Sequence, residues 1–188
     1  MAAAISPDGR FLAYSDDGAV YLKIIETGET HALRALQGYR LSYLSWFPDG
    51  SKLLVSSVDA QRGSEGIWAL SIVDPLFRKL TGHAGEAAAS QDGSRVAYIG
   101  ENGKEVWVGR TGEPNPHRIY LGEDGDRLGD LAWIAAGEML LFRRLHIGEY
   151  QFEVRMECRR WTGRELREPR ETAAFMRSAM PEVRSSMN

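Results

Sequence analysis

Residues 6–14 read SPDGRFLAY, and the phrase returns as FPDGSKLLV at 47–55 and SQDGSRVAY at 90–98. The turn aspartates Asp8, Asp49 and Asp92 are 41 and 43 residues apart; Ala136 takes the equivalent place 44 later, in LAWIAAGEMLLFRR at 131–144. Self-similarity at a period in the low forties is the signature of a four-stranded propeller blade. Each repeat has one grammar. A short apolar strand enters a Pro-Asp-Gly turn, in which Pro fixes φ, Asp bonds the nearby backbone and Gly accepts a positive φ. An alternating strand follows. In the first repeat Phe11, Ala13 and Ser15 face one way, Leu12 and Tyr14 the other. A polar turn such as Asp16-Asp17-Gly18 leads to a strand carrying an aromatic: Val20-Tyr21-Leu22, Ile67-Trp68-Ala69-Leu70, Val106-Trp107-Val108 and Phe152-Glu153-Val154. Closing strands are expected at Thr30–Leu33, Phe77–Leu80 and His117–Leu121.

The spacing predicts an all-β chain, a partial β-propeller of about four four-stranded blades at 1–36, 37–82, 83–123 and 124–164. The fourth repeat is degraded, with Ala135-Ala136-Gly137 for its turn, and its closing strand has no clear signal. The polar tail 165–188, with Pro169 and Pro181, is expected to be irregular or weakly helical, with helix confined to Thr172–Met180.

Composition narrows the function. The chain has 188 residues, 43% hydrophobic and 26% charged, which excludes wholesale disorder. Lys and Arg number 23 against 26 Asp and Glu, which excludes a generally polybasic coat for nucleic acid. Cys158 is alone, so no internal disulfide or multi-cysteine zinc site forms. No apolar run reaches the ~20 residues of a membrane span. The start, MAAAISPDGR, lacks the basic and apolar regions of a signal peptide.

Sites of chemistry are sparse. His31, His83, His117 and His146 make no close metal-binding pair and no His-Glu-x-x-His helix. Arg62-Gly63-Ser64-Glu65-Gly66 lacks the nucleophile-elbow register. In GEDGDRLGD (122–130), Asp124, Asp126 and Asp130 offer oxygens to a hard cation, and Gly129 fits the sixth place of a calcium loop. Leu128 and Ala135 fill two ligand places, so the stretch reads instead as a solvated turn between blades. Residues 1–138 carry 13 basic and 19 acidic side chains; residues 139–188 carry 10 and 7. Arg143, Arg144, Arg155, Arg159, Arg160 and Arg164 cluster in the fourth repeat near Phe152 and Trp161. Glu149, Glu153 and Glu157 interleave with them, and strand alternation splits them between two faces, so a solvated blade surface is expected. Trp46 and Trp133 share one repeat position, Trp68 and Trp107 another, which predicts packing between blades.

These repeats resemble the TolB-like propeller repeat of bacteria, across about 160 of the 188 residues. TGETHAL (27–33), LSWFPDGSKLL (44–54), RKLTGHAGEAAASQDGSRVAYI (78–99) and QFEVRMECRRWTG (151–163) resemble more narrowly the propeller of bacterial transmembrane serine/threonine kinases. That resemblance implies a non-catalytic protein- or ligand-binding module, the sensory or scaffold part of a larger signalling protein. It implies no catalytic, cofactor-binding or metal-binding residue, and no cofactor. It places the module outside the cytoplasm if the parent is a transmembrane kinase. The kinase motifs are absent from these residues. Four repeats are fewer than such a propeller has, so open blade edges and self-association are expected, two halves closing an eight-blade ring. A protein or peptide partner is expected and nucleic acid is not. The alternative is an accessory propeller from a prolyl-peptidase-like hydrolase. Binding loops are expected at Asp59–Gly66, Gly100–Lys104 and His146–Gln151, which join the second and third strands of their blades.

Overall fold

The computed structural model describes residues 2–16, 18–82, 84–111, 115–134, 137–148, 151–161, 166–167 and 183–186. Four antiparallel sheets follow one another along the chain. The first holds β1 (Ala3–Ile5), β2 (Phe11–Asp16), β3 (Ala19–Ile24) and β4 (Thr30–Ala35). The second holds β5 (Tyr39–Trp46), β6 (Lys52–Asp59), β7 (Glu65–Ser71) and β8 (Phe77–Gly82). The third holds β9 (Ala84–Ala89), β10 (Arg95–Gly100), β11 (Glu105–Arg110) and β12 (His117–Leu121). The fourth holds β13 (Asp126–Ile134), β14 (Met139–Ile147), β15 (Gln151–Trp161) and β16 (Leu166–Arg167), with β17 (Val183–Ser186) also paired to β15. Leaving β17 aside, the order in space in each sheet is the order in sequence, which is the up-and-down meander of a propeller blade.

The repeated turns close these meanders by one device. In the first, the Ser6 hydroxyl donates to Asp8 Oδ1 (2.6 Å), which also accepts from the Arg10 amide (3.1 Å). The Gly9 amide donates to the Ser6 carbonyl (2.9 Å), and Gly9 sits at φ 72°. Ser90, Asp92 and Gly93 repeat that arrangement in the third blade. Gly50 does the same at φ 68°, with Asp49 accepting from the Ser51 amide. The left-handed region is open to glycine at no steric cost, so these turns need that residue at that place.

The first strands β1, β5, β9 and β13 lie side by side around the inside of the arc. Cores form between blades, because each sheet presents one apolar face forward and one back. Ala13, Val20 and Leu22 of blade 1 meet Leu44, Leu53, Val55 and Leu70 of blade 2. Leu54 and Ile67 meet Ala87, Val96 and Tyr98. Ala97, Ile99, Val106 and Val108 meet Leu131, Leu140 and Phe142. Burying one such side chain contributes about 1.5–3 kcal/mol. The alternation read from Phe11 and Ala13 against Leu12 and Tyr14 is the forward and backward face of blade 1.

Of the tail 165–188, two short segments are described and the rest lies outside the described residues. Leu166–Arg167 and Val183–Ser186 are strands, paired to opposite ends of β15. β15 runs for 11 residues, and its outer edge carries backbone donors and acceptors that need partners. A helix over Thr172–Met180 lies outside the described residues.

Candidate channel-mouth site

At the end of the arc that carries the Pro-Asp-Gly turns, the inner strands of all four blades enclose a cleft of about 730 Å3. Its walls are the ends of those strands: Ile5 and Pro7 from blade 1, Trp46 and Pro48 from blade 2, Ala89 from blade 3 and Trp133 from blade 4. The two indoles are fixed from the preceding blade. Trp46 Nε1 donates to the Ala4 carbonyl (3.0 Å) and Trp133 Nε1 to the Ala88 carbonyl (3.1 Å). Their recurrence therefore reflects stapling of blade 1 to 2 and of blade 3 to 4. Ala89 holds the equivalent place in blade 3 and leaves the middle of the cleft open. Ile5 holds it in blade 1 and is 63% exposed. The Ser45 hydroxyl in the cleft wall is buried and unpaired among the described residues. A buried hydroxyl without a partner costs free energy.

One layer deeper, Tyr43, Glu86 and Asp130 occupy the same repeat position in β5, β9 and β13. Each inner strand is bulged there: the register slips between Leu41 and Tyr43, opposite Tyr98–Gly100, and between Gly129 and Ala132. Bulges re-aim side chains. Glu86 spans the blade 3–4 seam, accepting from the Asp130 amide (3.1 Å) and the Leu131 amide (2.6 Å). Asp130 has φ 55°, rare for a non-glycine residue, and its carboxylate accepts from Arg143 Nε (2.6 Å). Burial pushes the Glu86 carboxyl above its ordinary value, against the two amide donors. Burial, then the Glu86 and Asp130 charges, raises the Tyr43 phenol.

The stretch at 122–130 does not gather its carboxylates, and its reading as solvated is wrong at Asp126. Asp124 pairs with Lys104 (2.7 Å) and Asp130 with Arg143. Asp126 is fully buried. It accepts from His146 Nδ1 and the Glu123 amide at 2.7 Å and from Arg144 Nε at 2.8 Å. Among the described residues no group of three His, Cys, Asp or Glu is placed to hold a metal ion. Charges of the fourth repeat are matched locally: Arg155 with Glu153, Arg159 with Glu157 at 2.8 Å. Arg164 and His83 lie outside the described residues. His31 pairs with Glu29 (3.2 Å), and His117 is exposed on β12. Trp68 donates to the Ser57 hydroxyl (2.8 Å), and Trp107 to Glu105 (3.1 Å) while stacked on Tyr98.

The three loops expected to bind lie on the opposite rim from the cleft. Two are tied to the chain entering their own blade, the Ala60 amide donating to the Gly38 carbonyl and Ile147 to Gly125; the loop Gly100–Lys104 is tied to the next blade, the Leu128 amide of β13 donating to the Gly103 carbonyl. Glu149 and Tyr150 of the third loop lie outside the described residues. Sequence reasoning expects the channel mouth, beside the rim loops, to contact a partner, but it names none of the lining residues, because these turn prolines and tryptophans each read as structure. The signal was present in the alternation Ile5, Trp46, Ala89, Trp133, large and small side chains at one repeat position.

No family model matches the chain. An uncharacterized WD repeat-containing protein of Deinococcus radiodurans is 25% identical over 133 residues, 59% of this chain and 50% of that protein. TolB of Acinetobacter baumannii superposes with a TM-score of 0.68 at 18% identity, over 89% of this chain and 42% of that one. Oligogalacturonate lyase of Vibrio parahaemolyticus superposes with a TM-score of 0.66 at 13% identity, over 83% and 51%. The chain thus spans about half the length of these proteins. Four consecutive meander sheets with inter-blade cores, like those of TolB and the WD-repeat proteins, make this a TolB-like, WD-repeat-like β-propeller fold.

Proposed function

We propose that the chain is a non-catalytic binding module, and that its partner, a protein or peptide, enters the cleft at the channel mouth. The cleft itself carries this reading: all four inner strands contribute to it, and its walls include the anchored indoles Trp46 and Trp133 and the turn prolines Pro7 and Pro48. Preformed walls of mixed polar and apolar surface bind with little cost of reorganisation. The resemblance to the propellers of bacterial receptor-type serine/threonine kinases supports a sensory or scaffold role in a larger signalling protein. A transmembrane segment and a kinase domain encoded in the same reading frame is the expected context.

Panning a random peptide library on the immobilised chain tests the site. Enriched peptides are expected to lose at least tenfold in affinity for Ile5→Glu and to bind Val73→Glu, far out on the β7–β8 turn, as they bind the parent. Equal binding to both variants, or no enrichment, defeats the proposal. A second reading, a propeller borne by an enzyme, draws support from the fold likeness to a lyase. An α/β-hydrolase segment encoded in the same reading frame would favour it.

A further inference from the structure

The cleft at the channel mouth is asymmetric, and blade 3 makes it so. The second place of the repeated turn holds Pro7 in blade 1, Pro48 in blade 2 and Gln91 in blade 3. Two residues earlier, the position that holds Ile5 and Trp46 holds Ala89 in blade 3. All of these side chains line the cleft. Turn chemistry accounts for the prolines, which preset φ, and the staple to the Ala4 carbonyl accounts for Trp46. Neither accounts for blade 3, which gives up the rigid residue and the large residue together on one wall. Its turn does not require the exchange: Ser90, Asp92 and Gly93 close it with the bonds used in blade 1. A local rule broken without a local gain marks a functional position.

The chemistry of these walls is selective. Among the described residues no Asp, Glu, Lys, Arg or His lines the cleft. Its polar side chains include Gln91 and Tyr43, both exposed. Burial, then the charges of Glu86 and Asp130, raises the Tyr43 phenol and keeps it a donor at neutral pH. Two carbonyls at the wall are already engaged, Ala4 by Trp46 Nε1 and Ala88 by Trp133 Nε1. With its N–H committed, Trp46 offers a ligand only its ring. The surface made by blades 1 to 3 therefore combines apolar faces with hydrogen-bond donors and carries no charge.

We propose that this surface receives a proline-rich segment of the partner, held in the polyproline II conformation. The inference rests on the channel-mouth reading and names the class of peptide that the cleft takes. Prolyl residues carry no charge and no N–H, only carbonyl acceptors, and their stiff rings lose little entropy on docking. In polyproline II those carbonyls make no internal hydrogen bonds. Pyrrolidine rings pack on Trp46 and over Ala89, while Gln91 and Tyr43 donate to the carbonyls between them. Grooves with aromatic walls capture such segments by the same complementarity in other proteins. The cleft, at about 730 Å3, lies within the range of ligand sites, roughly 300–1,000 Å3.

Fluorescence anisotropy of labelled octaproline with the full chain tests it. Saturable binding is expected, with a labelled (Gly-Ser)4 peptide, of equal length and uncharged but flexible, at least tenfold weaker. Gln91→Glu, an exposed and isosteric change from donor to acceptor, is expected to weaken octaproline at least fivefold. Gln91→Lys, which keeps a donor there, is expected to bind as the parent does. Ala89→Trp, with its fold checked by circular dichroism, is expected to abolish binding by filling the open middle of the cleft. No saturation at millimolar octaproline overturns the proposal. Equal affinity for (Gly-Ser)4, or indifference to Gln91→Glu or to Ala89→Trp, also overturns it. Peptide panning separates this failure from that of the channel-mouth reading. Enriched peptides that depend on Ile5 but carry no excess of proline overturn the proline assignment alone, whereas no enriched peptide and no octaproline binding remove the site itself.

Discussion

Asp126 shows what one residue does when its charge is taken out of water. Burial alone favours the neutral acid, but the hydrogen bonds from His146, the Glu123 amide and Arg144 outweigh it and hold the carboxyl below its ordinary value of 3.8. A carboxylate lowered in the folded state stabilises the fold above its unfolded value, and that contribution is lost as pH falls through the folded one. Asp126→Ala is therefore expected to cost about 3 kcal/mol at neutral pH, because Arg144 and a buried amide lose their partner. Urea midpoints for parent and variant should converge as pH drops below about 4. A gap that is constant with pH would show that the carboxylate is not ionised in the fold. Glu86 moves the other way: raised by burial, its ionised form costs stability, and the cost is relieved as pH falls through its folded value.

At the scale of the element, the bulge in β13 decides what the fourth blade can do. Extrapolating the hairpin from its turn, where Ile134 faces Met139, sets Asp126 opposite Ile147. The bulge at Asp130-Leu131 absorbs one residue and sets it opposite His146. A slip of one residue exchanges the two faces of a strand, so the buried Asp126 cluster exists only because of that bulge. The left-handed backbone of Asp130 is its geometric cost. Asp130→Val is expected to be less stable than Asp130→Gly by about 1–2 kcal/mol, since a β-branched side chain is excluded from positive φ. Thermal melts of the two variants measure the difference, and equal midpoints would mean that the bulge relaxes. The turns were legible from sequence at this scale because Ser, Pro, Asp and Gly fix their geometry within four residues. The bulge was not, because it depends on Glu86, 44 residues away, capturing the Asp130 and Leu131 amides.

Across the whole molecule, stability accrues seam by seam, as in other repeat folds. Leu53 and Val55 of blade 2 are fully buried against blade 1. Their counterparts Leu12 and Tyr14 stand on the backward face of blade 1 with Ile5 and Tyr21, and Tyr14 and Tyr21 stack on each other at 5.3 Å. Ile5 on this face is 63% exposed, and an apolar sheet face in water associates. Self-association at tens of micromolar is the expected result by light scattering, reduced by Tyr14→Glu. A monomer in both cases would show that the face is covered from within the chain. No helix among the described residues is long and apolar enough to cross a membrane.

The sequence alone determined the repeat, the blade class and the inward or outward facing of strand residues, because turn chemistry and period-two alternation act over a few residues. It also marked Trp46 and Trp133 as contacts between blades, because recurrence at one repeat position survives any ambiguity of register. Tertiary structure alone decided the rest. The channel-mouth cleft depends on which side chains meet at the axis from blades 40 and more residues apart. The burial of Asp126 depends on a bulge held by another blade.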